Sequence, residues 1–134
     1  MRVVIDTNVF ISSFLGSGPP RKLIDLWKEG KITLCLSQPI VDEYIAILIR
    51  LGLSDKKEIQ ELIQLLAKGR NTIFVGKTEP INLIIDDPDD LMFFECAQEL
   101  NAEYIISGDK VILSVKEFLG VKTITAANFV ALIE

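Results

Sequence analysis

The chain has 134 residues, enough for one domain with one core, and 49% of them are hydrophobic, which excludes a disordered tail. Its net charge of −5 comes from 14 basic and 19 acidic residues, with no histidine anywhere. Without imidazole there is no Ser-His-Asp triad, no Cys-His pair and no histidine acid–base chemistry, and no Gly-rich phosphate loop is present either. No apolar run reaches the ~18–20 residues of a membrane span, and Asp6 interrupts the N-terminal run too early for a secretory segment. A cytoplasmic protein without membrane association is expected. Cys35 and Cys96 sit in apolar company far apart in sequence and read as two reduced core thiols.

Arg2–Ile5 is a predicted strand that ends at Asp6. Pro19 and Pro20, after Gly16-Ser17-Gly18, open a helix through Trp27 and Lys28, and Gly30 closes it. Residues 32–36 form the next predicted strand. Ser37 then caps a helix running to about Arg50, with Gly52 beyond. Ser54 is the predicted cap of a helix from Asp55 to Lys68, ended by Gly69; Ile59, Leu62, Ile63 and Leu66 recur there at helical spacing. Thr72–Val75 is a short strand, and residues 76–80 are a loop. A helix is predicted from Pro88 to Leu100, strands at Tyr104–Ile106 and Val121–Ile124, and a closing helix over Ala126–Ile133 capped by Thr125. Strands separated by helices imply an α/β domain, residues 1–134, with a mostly parallel sheet covered on both faces. Ligands in such folds bind outside the carboxyl ends of the strands, where the strand order switches.

Four separated acids, Asp6, Glu43, Asp90 and Asp109, carry the functional signal. Asp6 and Asp109 both lie just past the end of a predicted strand, so neighbouring parallel strands would bring them to one edge. Each acid also has a plain structural explanation. Asp6 and Asp109 suit helix N-caps or turns. Asp42 and Glu43 are polar exceptions on a mostly apolar helix whose Ile40, Tyr44, Ile47, Leu48 and Leu51 share one side, and periodicity does not choose between them. With Pro88 as first helical residue, Asp87 is an N-cap and Asp90 lies at the third position. Asp90 nevertheless shares a face with the apolar Phe93, Phe94 and Ala97. Converging carboxylates repel and need protons or cations to neutralise them, and hard divalent cations bind oxygen ligands. One metal site accounts for all four positions at once.

Charge alone neither excludes nor supports a nucleic-acid substrate. Setting aside Asp6, Glu43, Asp87, Asp90 and Asp109 leaves 14 acids against 14 bases. Arg21, Lys22, Lys110 and Lys116 are the candidate phosphate contacts, although scattered cations are more often solvated surface. Trp27 is expected to pack in a core or an interface rather than to stack on a base.

The ordered set resembles the PIN-domain family over essentially the whole chain. It comprises a strand ending in Asp6-Thr7-Asn8, the acid of Val41-Asp42-Glu43-Tyr44, Asp87-Pro88-Asp89-Asp90 before a helix, and Ser107-Gly108-Asp109-Lys110 after a strand. More narrowly, with residues 18–22 and Leu36-Ser37, it resembles the VapC-like toxin branch of prokaryotic toxin–antitoxin systems. The resemblance implies a three-layer α/β/α sandwich with about five strands. It implies a ribonuclease in which Asp6, Glu43, Asp90 and Asp109 surround one or two Mg²⁺ or Mn²⁺ ions, supported by Thr7, Asn8, Asp87 and Ser107. RNA cleavage leaving 5′-phosphate and 3′-hydroxyl ends, a homodimer and a cognate antitoxin follow as expectations. Relatives often carry Asp or Asn and then Lys after the position of Asp90, where this chain has Leu91 and Met92. An Asp frequent two residues after Asp109 is Val111 here. The competing expectation is a PIN-like module that holds RNA or a protein without cutting.

Overall fold

The structure, a computed structural model, describes residues 1–16, 18–53 and 55–134. In chain order the elements are β1 (Arg2–Ile5), α1 (Thr7–Leu15), α2 (Pro19–Lys28), β2 (Thr33–Ser37), α3 (Gln38–Arg50), α4 (Lys57–Lys68) and β3 (Thr72–Val75). A 3-10 turn (Pro88–Asp90) then leads into α5 (Leu91–Glu99), β4 (Tyr104–Ile106), α6 (Lys110–Val115), β5 (Glu117–Phe118), β6 (Val121–Ile124) and α7 (Ala126–Ile133). The strands form one sheet of six in the order β3-β2-β1-β4-β6-β5, parallel except for the β5–β6 pair. The architecture is the three-layer α/β/α sandwich expected, with one strand more than the five predicted.

The central strand is apolar on both faces because both are covered: Val3, Val4 and Ile5 are all buried. On one side α5 lies across β1, β2 and β4. α2 packs against both α1 and α7, and α3 joins α1 through Tyr44, whose ring stacks on Phe10 at 4.1 Å and whose hydroxyl donates to the Ile5 carbonyl. Trp27 is a core residue, as expected; its Nε1 donates to the Asn71 carbonyl at 3.1 Å, and Asn71 returns a bond to the Trp27 carbonyl at 2.8 Å. Both cysteines are free and buried.

The predicted elements stand with local corrections. Gly69 ends α4 with φ 66°, a left-handed conformation that favours glycine. Thr125 caps α7 by accepting from the Asn128 N–H at 3.2 Å. The β2 strand begins at Thr33, and α4 begins at Lys57 rather than Asp55; the predicted cap Ser54 lies outside the described residues. Ser37 occupies the N-cap position of α3 but makes no capping bond through its side chain. The predicted Pro88–Leu100 helix divides into the 3-10 turn and α5. Three elements have no counterpart in the sequence reading: α1, α6 and the two-residue β5. The last is joined to β6 by a tight turn at Leu119 and Gly120, with φ 48° and 89°.

β1 and β4 are direct parallel neighbours, with Val4 opposite Ile105 and Ile5 opposite Ile106. The chain builds outward from β1 to β2 and β3, then returns to place β4 on the other side. The β1/β4 boundary is therefore the switch point, and Asp6 and Ser107 both emerge from its carboxyl edge.

A candidate carboxylate metal centre

Asp6 stands where β1 becomes α1. Its N–H continues the sheet to the Ile106 carbonyl at 3.0 Å, and its side chain caps α1 by accepting from the Val9 N–H at 2.9 Å. The second carboxylate oxygen accepts from the fully buried Ser107 hydroxyl, and that hydroxyl in turn accepts from the Asp109 N–H at 2.9 Å. Asp109 caps α6 through the Val111 N–H at 2.8 Å. Both acids are helix caps, and each cap places its carboxylate at the same sheet edge.

On α3, Asp42 and Glu43 lie in different surroundings. Asp42 is exposed and accepts from Gln38 one turn earlier, at 2.8 Å. Glu43 accepts from the Thr7 hydroxyl and faces the cleft. At the start of α5 the three acids separate in role. The Asp87 side chain caps the 3-10 turn by accepting from the Asp89 N–H at 3.0 Å, and Asp89 is exposed. Asp90 caps nothing, and its Oδ2 is buried with no hydrogen-bond partner.

Asp6, Glu43, Asp90 and Asp109 line one cleft of 190 Å³, with Thr7 and Asn8 beside them and Ile47, Phe93 and Ile112 in its apolar wall. Burial, and then the charges of Asp109, Asp87, Asp6 and Glu43, push the Asp90 carboxyl up to about 6. Burial also raises Asp6; hydrogen bonds from Ser107, Val9 and Gly108 oppose the rise, and the Asp109 charge adds to it. An all-oxygen donor set with an unpartnered buried carboxylate oxygen fits a hard divalent cation. Among the described residues, no three such side chains are yet closed around a single point in ligand geometry.

The cationic prediction fares differently. Lys22 pairs with Glu134 at 2.8 Å, and neither Arg21, Lys22, Lys110 nor Lys116 lines the cleft. Arg50 does, at the last position of α3. Its signal in the sequence was its spacing: Glu43, Ile47 and Arg50 fall at i, i+4 and i+7 on one helical face.

The fold and the acidic edge define a PIN domain. The PIN-domain family model matches residues 2–111, and the chain belongs to that family, whose members are in general nucleases. An uncharacterized protein, MJ1680, of Methanocaldococcus jannaschii is 33% identical over 122 residues, covering 87% of this chain and 76% of that protein. Among solved structures, a chain of VapBC2 from Rickettsia felis, bound to a DNA fragment from their promoter, is similar with TM-score 0.58 and 14% identity over 93% of this chain and 98% of that one. A domain of a functionally unknown protein from Methanocaldococcus jannaschii matches with TM-score 0.57 and 19% identity, over 92% and 89% of the two chains.

Proposed function

We propose that this PIN domain is a metal-dependent endoribonuclease of the cytoplasm and the toxin component of a toxin–antitoxin pair. The observation that carries the reading is the meeting of Asp6, Glu43, Asp90 and Asp109, from four distant segments, in one cleft at the β1/β4 edge. Those four acids would hold one or two Mg²⁺ or Mn²⁺ ions, and a cation so held supplies charge neutralisation and Lewis acidity toward water and phosphodiester oxygens. The chain's own groups prepare the site. Ser107 and the Val9 N–H fix both oxygens of Asp6, and Thr7 orients Glu43. Asp90 holds a proton more tightly than an ordinary carboxyl and would have to be ionised to hold a cation. In-line attack of water at phosphorus with departure of the 3′ oxygen leaves 5′-phosphate and 3′-hydroxyl ends.

The test incubates purified protein with single-stranded RNA, with and without Mg²⁺ or Mn²⁺. Cleavage should need the cation, stop with EDTA and disappear in Asp6→Asn and Asp90→Asn; activity retained by those variants rules out this site. The acids that are not yet closed on one point, with Leu91, Met92 and Val111 at positions often polar in relatives, favour a second reading as a binding module that does not cut. Calorimetric titration with Mn²⁺ separates the two, since a degenerate centre gives little heat.

An antitoxin partner is supported by an apolar groove of 630 Å³ between α3 and α4, lined in part by the exposed Ile45, Ile49, Ile63 and Phe74. The structural neighbour belongs to a VapBC2 complex. We assign the groove to an apolar segment of a cognate antitoxin, and Ile49→Lys should abolish co-purification with that antitoxin on co-expression. The homodimer has the family resemblance alone as support, and light scattering on the purified chain tests it.

A further inference from the structure

Arg50 is the cation in the wall of the acidic cleft, and it is unpaired: no ion pair to it occurs among the described residues, whereas Lys22, Lys28 and Lys31 are each held by a glutamate. No arginine is among the groups that shift Asp6 or Asp90. The negative end of the α3 dipole favours a cation at this position, but that accounts for its charge and not for its place in the cleft. The same helix presents Glu43 seven residues earlier, about 10 Å away along the axis at ~1.5 Å per residue. Among the described residues no carboxylate forms an ion pair with the Arg50 guanidinium. Its planar fork suits two oxygens of one phosphate.

We propose that Arg50 grips the phosphate next to the one being cleaved, so that the cleft takes a polynucleotide strand rather than an isolated phosphodiester. This rests on the nuclease reading above. It makes Arg50 a substrate-positioning residue, the positive counterpart that an acidic cleft needs to retain an anionic chain. Arg50 is exposed and ends its helix, so Arg50→Gln should leave the fold intact, which circular dichroism checks.

The experiment compares the native chain, Arg50→Gln and Arg50→Lys on single-stranded RNA and on bis(p-nitrophenyl) phosphate, a diester with no neighbouring phosphate. Arg50→Gln should raise KM for RNA roughly tenfold with a much smaller change in kcat, and should lower the RNA-to-diester ratio of kcat/KM by a similar factor. Binding to a cleavage-resistant phosphorothioate strand, followed by fluorescence anisotropy, should lose about 0.7 from its salt slope, the value of one single-strand phosphate contact. Arg50→Lys should keep that slope and recover part of the affinity. An unchanged KM and slope, or equal losses on both substrates, overturns the proposal while leaving the nuclease reading in place. A native chain that cleaves neither substrate but binds the strand with an Arg50-dependent slope ends the nuclease reading and keeps this one. A native chain that neither cleaves nor binds ends both.

Discussion

Asp90 carries a carboxyl whose charged form the cleft disfavours. Its carboxyl is pushed up to about 6 from an ordinary 3.8, first by burial and then by the neighbouring acids. A raised carboxyl favours the folded state while protonated, so its contribution is complete below about pH 4 and is lost as pH rises through about 6. Asp90→Asn should therefore melt higher than the native chain at pH 7 in EDTA. The advantage should vanish near pH 4, and the order should reverse in millimolar Mn²⁺; differential scanning fluorimetry across this range reads all three. Cation affinity should climb through pH 6 and level off above it, because the site must lose a proton to bind. Ser107 is the opposite case, a neutral group on which two acids depend. Ser107→Ala leaves the buried Asp6 short of a donor and should cost about 2 kcal/mol in urea unfolding. Burial pushes Cys35 up to about 11 and Cys96 up to about 12, so both thiols stay protonated and should react with Ellman's reagent only once the chain unfolds.

At the scale of elements, the lead into α5 divides three adjacent acids by geometry. Asp87→Ala removes a cap and should lower stability by about 1 kcal/mol. Asp89→Ala should leave cleavage and stability nearly unchanged, while Asp90→Ala should eliminate cleavage, so assays on the three variants check the assignment directly. The β5–β6 hairpin holds Leu119 at φ 48°, a conformation costly for a branched side chain, although 70% of the residue is exposed and little packing would be lost. Leu119→Asn should raise stability by about 1 kcal/mol, measurable by denaturant titration. α1 and α6 carry little local helix signal, for different physical reasons. In α1, Thr7, Asn8, Ser12 and Ser13 suggest turn chemistry rather than a helix, and only the Asp6 cap and packing against α2 and α3 impose one. α6 has six residues, too short for a periodic signal.

At the scale of the whole molecule, α3 borders both the small polar cleft and the larger apolar groove. Glu43 and Arg50 face one while Ile45 and Ile49 face the other. A partner seated in the groove would therefore touch the helix that supplies two residues of the cleft. The hydrophobic pattern, the helix stops and the spacing of acids just past strand ends were local facts, readable one segment at a time. They sufficed for the α/β class, the parallel sheet and the acids worth watching. Which strands are neighbours is a long-range matter, decided by how β1 pairs with β4 across a hundred residues of chain. That pairing brought Asp6 beside Ser107 and Asp109, and the packing of α3 on α1 turned Glu43 inward rather than Asp42. It also left Arg50 rather than Lys22 on the cleft wall. Periodicity states which residues share a face of an element, but only tertiary packing decides what that face meets.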